Sequence, residues 1–200
     1  YGMLDTGPTL LILPLVYQAE FERLGASLGA VLDLQRVDPT YRLVFDDGRH
    51  LALTSDHAEM RRQLEAFEPG SYDGYRRYLG EGEAAYRLAM ERLVDRQPDL
   101  SADLLSSFAI SLLREFRAFL PHYPRMQGYF DEPRLKAAFT FQDIYMGLSP
   151  FEAPALYSMM PYSEIVHGVW FPRGGMYRIV EALMEIAVAA GVEFEFNQPV

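Results

Sequence analysis

The chain has 200 residues, half of them hydrophobic, which is enough to bury a sizeable core in one domain or two small ones. A formal net charge of −10 argues against binding to nucleic acid, which depends on basic patches. The absence of cysteine excludes disulfides, thiolate nucleophiles and cysteine-ligated metal sites. No charged segment with a cleavage site opens the sequence, so no secretory signal is expected.

The first 54 residues predict a turn, a helix and an antiparallel sheet. Asp5-Thr6-Gly7-Pro8 is a turn signal, and helical spacing after it ends at Gly25, a typical C-cap. From residue 30 to 54 the hydrophobic period changes to two, and Asp46-Asp47-Gly48 separates two alternating segments. Such a sequence predicts a hairpin within an antiparallel sheet.

Helical patterns dominate from residue 56 to 167. Asp56 is a candidate N-cap for a helix whose apolar stripe is Met60, Leu64 and Phe67, and a tyrosine-rich helical segment follows it. Residues 104–113 carry no charge but are too few to span a bilayer, which requires about 20 apolar residues. We favour a buried core helix there, with a helix lying in a membrane interface as the alternative.

The last 26 residues predict a helix and a strand. Helical spacing covers residues 175–190 and stops at Gly191, and the alternating segment 192–196, VEFEF, predicts a strand.

Several patterns that carry chemistry in other proteins are weak here. The segment from Gly80 to Ala85 matches the dinucleotide pattern G-x-G-x-x-A, but it lies in a predicted helix instead of following a strand, so we interpret the match as accidental. The four histidines show no metal-ligand spacing, so no metal site is predicted. The serines form no G-x-S-x-G nucleophile elbow.

The segment from residue 139 to 171 is rich in aromatic residues and methionine and poor in charge. Such side chains commonly fill a core. Gly147, Pro150, Pro154 and Pro161 interrupt the segment, however, and favour the interpretation that its pieces form walls around a space.

Four segments resemble the phytoene desaturase (phytoene dehydrogenase) family of carotenoid desaturases, in the flavin-containing amine oxidoreductase superfamily. They are DTGPTLLILP, LDLQRVDPTYRLVFDDG, DEPRLKAAFTFQDIYMGLSPFEAPALYS, and the segment that begins with GVWFPRGG and runs to residue 200. They occur in the family's order and cover nearly the whole chain. The resemblance identifies the chain as an internal piece of a longer enzyme, one that on its own would be inactive.

The resemblance implies an α+β piece of an α/β parent, in which an antiparallel substrate sheet and a large helical subdomain are inserted in an FAD-binding fold. Residues 1–15 would belong to the FAD domain, which is incomplete in this chain. Residues 16–167 would form the substrate-binding domain, with its sheet at 30–54 and its helical part at 56–167. Residues 168–200 would return to the FAD domain.

The resemblance also implies a reaction, the removal of hydrogen from a long apolar polyene with hydride transfer to the flavin. Glu164 and Asp143 are acids in apolar segments and are candidates to accept the proton or stabilise a cation, although a capped or paired surface carboxylate is the commoner role for such a residue. The candidate substrate contacts are Phe139, Phe141, Tyr145, Met146, Trp170 and Phe171.

For FAD, the resemblance implies contacts at Asp5, Gly7, Pro8 and Val200, whereas its phosphate-binding fingerprint G-x-G-x-x-G lies outside this chain. Arg173 therefore need not hold a phosphate. A polyene substrate dissolves in lipid, so we expect a peripheral protein at the cytoplasmic face of a membrane. The alternatives are an apolar-lipid-binding module at a membrane surface, without redox chemistry, and a related carotenoid isomerase, oxygenase or ketolase, or a retinol saturase.

Overall fold

The computed structural model describes residues 6–90 and 120–198. Contacts divide the chain into two compact units. The first unit comprises Tyr1–Val37 and His167–Val200, and the second comprises Asp38–Val166. The observed boundary after Val37 differs from the predicted one after residue 15, because apolar residues between positions 17 and 34 pack with those between positions 179 and 186.

The described helices and strands follow one another as a mixed set of short elements. In chain order they are α1 (Pro14–Arg23), α2 (Leu28–Val31), β1 (Leu34–Val37), β2 (Tyr41–Val44), β3 (His50–Leu53), α3 (His57–Phe67), α4 (Ser71–Ala89), α5 (His122–Arg125), α6 (Pro133–Ala138), α7 (Met159–Tyr162), β4 (Val169–Pro172) and α8 (Tyr177–Ala189). Short 3-10 helices occur at Met126–Gly128, Phe141–Met146 and Ala155–Ser158, and a π-helix occurs at Ser163–His167.

In the first unit, β1 and β4 form an antiparallel pair in which Arg36 faces Trp170. The chain before α1 adds a bridge to β4, because Leu11 and Trp170 exchange backbone hydrogen bonds of 3.1 and 2.9 Å. A small core buries Phe21 of α1 and Ala182 of α8 together with Leu28 and Leu32.

The predicted strand at residues 192–196 is wrong as a description of this structure, because these residues adopt no regular structure and are exposed. A strand needs a neighbour to pair its N–H and C=O groups, and none of the described residues supplies one there. The predicted helix at 175–190 is confirmed as α8, which is followed by Gly191 with a φ of 90°.

In the second unit, β2 and β3 form the predicted hairpin, with Tyr41 facing Leu53 and Val44 facing His50. Gly48 closes its turn with a φ of 81°, a conformation that glycine adopts without strain. The prediction of one sheet over residues 30–54 is wrong in one respect, since β1 pairs with β4 and not with β2. Pro39 lies between β1 and β2 and has no N–H to continue a ladder.

Helix α3 begins as predicted, because the Asp56 carboxylate accepts hydrogen bonds from the N–H groups of Ala58 and Glu59 at 2.8 and 3.1 Å. Its buried face packs with α4 and the hairpin into the main core. The fully buried members of this core include Leu51, Leu53, Met60, Leu64, Tyr75, Tyr78, Met126, Phe130, Leu135 and Phe139.

The predicted helical part continues beyond α4, but its described second half consists of short helices and 3-10 turns. Proline and glycine interrupt the backbone hydrogen bonding of this segment and so keep its helices short. Residues 104–113, predicted to be a buried or interfacial helix, lie outside the described residues. Within residues 6–90 and 120–198, no helix has the length and apolar character needed to cross a bilayer.

Candidate functional site

Glu164 lies in the second unit with its carboxylate held by two side chains from distant parts of the sequence. The π-helix that follows α7 carries it, and the residue is only 2% exposed. The hydroxyl of Tyr41, the first residue of β2, donates to Oε1 of Glu164 at 3.2 Å. Nε2 of Gln142 donates to Oε2 at 3.2 Å. Both carboxylate oxygens therefore have a neutral hydrogen-bond donor.

Tyr145 extends this group of side chains toward the surface. Its hydroxyl is hydrogen-bonded to that of Tyr41, and the residue is 40% exposed. Burial raises the pKa of Glu164, and hydrogen bonds from Gln142, Tyr41 and Tyr145 oppose the rise. Burial likewise raises the pKa of Tyr145 to about 12, so this phenol stays neutral over the physiological range. We call Tyr41, Gln142, Tyr145 and Glu164 the Glu164 cluster.

Asp143, the other candidate acid, has a different environment. Its two carboxylate oxygens lie 3.1 and 3.0 Å from Nδ1 of His122, and both residues are fully buried. Nε2 of His122 lies 3.4 Å from the hydroxyl of Tyr78, which donates to the carbonyl oxygen of Phe139 at 3.0 Å. Because both carboxylate oxygens of Asp143 contact the buried His122, the geometry favours a structural role for Asp143.

The predicted substrate contacts in the second unit separate into a buried and an exposed group. Phe139 is fully buried in the core, where its ring stacks on Phe130 with centroids 5.2 Å apart. Its ring also packs against Tyr75 and Tyr78, each with centroids 5.6 Å apart, and its predicted contact with substrate stays a prediction. Phe141 is half-buried and meets Tyr41 edge-on at 5.0 Å.

Tyr145 and Met146 are exposed, and so is the preceding residue Ile144, which the sequence analysis did not select. The 3-10 helix Phe141–Met146 thus presents an exposed apolar segment, residues 144–146, directly after the buried Gln142 and Asp143. This change from buried polar to exposed apolar side chains within six residues is the reverse of the usual pattern.

In the first unit, Trp170 and Phe171 are half-buried on β4, between the buried Val169 and Pro172. The indole N–H of Trp170 donates to the carbonyl oxygen of His167 at 2.9 Å. Trp170 also lines a cleft of about 630 Å³ whose other walls come from α1 and from residues 27–34. The cleft contains the apolar side chains of Leu28, Leu32 and Leu34 and is compatible with the contact role predicted for Trp170.

Arg173 of the GVWFPRGG segment has a protein partner. Its Nε donates to Oδ2 of Asp33 at 2.5 Å, and its backbone N–H donates to the carbonyl oxygen of Asp33 at 2.8 Å. Gly174 and Gly175 follow with φ values of 94° and 101°, which explains why glycine is present at both positions. The two hydrogen bonds to Asp33 connect the end of β4 with the chain before β1. Arg173 therefore has a structural partner within the protein and does not need a phosphate to pair its charge.

The structure describes two of the four residues predicted to contact FAD. Gly7 and Pro8 are exposed, and a methyl group on Gly7 would meet no atom within 4 Å, so a flavin ring could approach this backbone closely. Asp5 and Val200 lie outside the described residues.

The segment from Gly80 to Ala85 does not cradle a diphosphate, because it lies within α4. A Cβ on Gly82 would lie 2.6 Å from that of Tyr162, and Glu81 accepts a hydrogen bond of 2.6 Å from Arg125. Across residues 6–90 and 120–198, no group of three or more histidine or acidic side chains is placed to hold a metal ion.

Sequence reasoning selected Glu164 and Asp143 but missed Tyr41, Gln142 and His122, the residues that hold them. Tyr41 lies 123 positions before Glu164, and no local pattern connects the two. The only local signal was the pair Gln142-Asp143, two polar residues within an aromatic segment.

The chain matches the family described as flavin containing amine oxidoreductase over residues 3–200. It is 38% identical over 98% of its length to a ζ-carotene-forming phytoene desaturase from Myxococcus xanthus, and 36% identical over 96% of its length to a phytoene desaturase from Neurospora crassa. A carotenoid 3,4-desaturase from Haloarcula japonica is 31% identical over 98% of the chain.

The chain spans 38%, 33% and 40% of the length of these three relatives, respectively. The match to the family covers nearly every residue of the chain, including both compact units and the Glu164 cluster. This chain therefore belongs to the flavin-containing amine oxidoreductase family.

Proposed function

We propose that the protein is an FAD-dependent desaturase of a carotenoid precursor such as phytoene. The observation that carries this proposal is the similarity, along nearly the whole chain, to proteins named as carotenoid desaturases from bacteria, fungi and archaea. The apolar residues 144–146 and the buried acid of the Glu164 cluster give the proposal a structural basis.

A carotenoid precursor has no polar group, so its binding free energy must come from apolar contact, at about 25 cal/mol per Å² buried. In the second unit, Phe141, Tyr145 and Met146 are the accessible members of the predicted contact set. In the first unit, Trp170 and Phe171 offer half-buried aromatic rings. We propose these five side chains as substrate contacts, whereas Phe139 lies in the core and its contact with substrate stays a prediction.

The chemistry that FAD supplies when bound is acceptance of a hydride from a saturated carbon of the substrate. Loss of hydride leaves an allylic cation, and loss of a proton from the neighbouring carbon completes the double bond. Glu164 is the proposed acceptor of that proton. In its ionised form it has two neutral donors at its oxygens, and its burial, which favours the protonated form, strengthens it as a base.

We propose that the flavin ring of FAD approaches the backbone of Gly7 and Pro8, where a Cβ on Gly7 would meet no other atom within 4 Å. Asp5 and Val200 are proposed as further contacts with FAD. We propose a peripheral location at the cytoplasmic face of a membrane, because the substrate partitions into lipid. Attraction to anionic lipid cannot drive this association in a chain with a net charge of −10, so the binding should tolerate salt.

The particular carotenoid is also a matter for experiment, since one relative is named a 4,4'-diapophytoene desaturase and another a carotenoid 3,4-desaturase. The deciding experiment expresses the full-length protein in cells that make phytoene and records the pigments by chromatography and absorption spectra. New conjugated double bonds are expected with the unchanged protein, and far fewer with Glu164→Gln. An isomerised, oxygenated or unchanged polyene in the presence of bound FAD would contradict the proposal.

A further inference from the structure

We propose that Tyr41 and Tyr145 form a proton relay that connects the buried carboxylate of Glu164 with the surface of the second unit. The inference rests on the proposed function, because that function makes Glu164 the acceptor of a substrate proton. It assigns to two phenol hydroxyls a role that does not require either of them to touch the reacting carbon.

Hydrogen bonds lead without interruption from the carboxylate of Glu164 to Tyr145. Glu164 is 2% exposed, so a proton on its carboxyl group has no direct route to water. Oε1 of Glu164 lies 3.2 Å from the hydroxyl of Tyr41, which is hydrogen-bonded to the hydroxyl of Tyr145. Tyr145 is 40% exposed and ends this series at the surface.

Each of the two phenol hydroxyls can both receive and donate a proton. While Glu164 is ionised, Tyr145 donates to Tyr41 and Tyr41 donates to Glu164. After Glu164 takes up a proton, both hydroxyls must rotate outward. The carboxylic proton then passes to Tyr41, the proton of Tyr41 passes to Tyr145, and that of Tyr145 passes to water. One proton leaves for each proton that enters, and neither phenol ends the transfer ionised.

Gln142 contacts the other carboxylate oxygen of Glu164. Its Nε2 donates to Oε2 of Glu164, whereas its Oε1 is buried without a hydrogen-bond partner among the described residues. A buried unpaired carbonyl oxygen is unfavourable, because it has lost its hydrogen bonds to water without gaining others. Rotation of the amide would present this oxygen to a protonated Oε2. Gln142 can thus stabilise Glu164 both as a carboxylate and as a carboxylic acid. A proton acceptor that alternates between these two forms needs such a partner.

The relay is first tested by infrared spectroscopy of the full-length protein, which does not depend on turnover. The C=O band of protonated Glu164 is identified as the band lost in Glu164→Gln, and its intensity is followed against pH. Tyr41→Phe and Tyr145→Phe each remove a hydrogen bond that favours the ionised form, so each should move the midpoint of the band to higher pH. The matched control, Tyr123→Phe, removes a phenol hydroxyl outside the Glu164 cluster and should leave the midpoint unchanged. An unchanged midpoint in both cluster variants would overturn the relay.

The second test separates proton release from substrate oxidation. In Tyr145→Phe, steady-state turnover should fall about tenfold further than the rate at which phytoene reduces the flavin in a single turnover. This is less than the 10²–10⁴ typical of a full acid–base group, because water can replace a relay in part. The decrease should be accompanied by a larger solvent deuterium isotope effect. Turnover equal to that of Tyr123→Phe would overturn the relay, and failure of phytoene to reduce the flavin in the unchanged protein would overturn the proposed function instead.

Discussion

Nδ1 of His122 lies 3.0 Å from Oδ2 of Asp143, and each of these residues is only 1% exposed. The histidine begins α5, and the aspartate belongs to the 3-10 helix Phe141–Met146. Tyr78 of α4 lies against the other nitrogen of the imidazole at 3.4 Å. This buried polar contact therefore connects three segments of the second unit.

Removing one member of that contact should destabilise the protein strongly. Asp143→Ala leaves Nδ1 of the buried His122 without its hydrogen-bond partner, and an unsatisfied buried polar group costs about 1–3 kcal/mol. The matched control is Asp46→Ala, because the Asp46 side chain is 93% exposed and such changes stay within about 0.5 kcal/mol. Urea denaturation of the full-length protein measures both variants. Equal midpoints would show that the contact contributes little.

Two glycines of α4 should respond in opposite ways to alanine. A Cβ on Gly74 would lie 2.0 Å from the carbonyl oxygen of Tyr129, so Gly74→Ala must displace backbone and should cost at least about 1–3 kcal/mol. Gly80 has no neighbour within 4 Å of such a Cβ, and Gly80→Ala should stabilise the helix by about 0.5–1 kcal/mol. Thermal denaturation distinguishes the two. A stable Gly74→Ala variant would contradict the close approach of α4 to Tyr129.

Glu164→Gln should change how stability depends on pH. Because the pKa of Glu164 is raised in the folded state, the unfolded chain ionises first as the pH rises above 4.5. The original protein should therefore lose stability relative to Glu164→Gln from pH 4.5 upward, until the pH passes the folded pKa. Denaturation midpoints between pH 4 and about 8 measure the difference.

The control for that experiment is Glu59→Gln. A hydrogen bond from Arg62 lowers the pKa of Glu59, so the stability that Glu59 contributes is present above pH 4.5 and is lost only as the pH falls below that value. The difference in stability from the original protein should thus change with pH above pH 4.5 for Glu164→Gln, and below pH 4.5 for Glu59→Gln. A pH-independent difference for Glu164→Gln would show that the carboxyl group is not perturbed.

Trp170 should report the binding of a polyene in the first unit. It is the only tryptophan of this chain and lines the cleft near α1. Coloured carotenoids absorb at or to the red of tryptophan emission, so bound polyene should quench the part of the emission that is lost in Trp170→Phe. If added polyene does not change the emission assigned to Trp170, then Trp170 does not contact the substrate. Retained FAD content in Trp170→Phe would confirm that the variant still binds its cofactor.

The sequence predicted elements well where local rules decide them. Asp56 caps α3, Gly48 closes the hairpin and Gly191 follows α8, because each depends on side-chain or backbone chemistry within a few residues. The same rules failed for residues 192–196, because an alternating pattern records the preference for a strand but not the presence of a partner.

By itself, the sequence determined the family, the mixed α and β composition and the presence of acids in an apolar segment, since motifs and hydrophobic periods are local. Only the tertiary structure decided that Asp143 is paired with His122 while Glu164 is held by Tyr41 and Gln142. It also placed Phe139 in the core and residues 144–146 at the surface. The reason is physical, because burial and hydrogen bonding depend on which distant segments come into contact. Tyr41 lies 123 positions from Glu164, so the local sequence around Glu164 cannot indicate this contact.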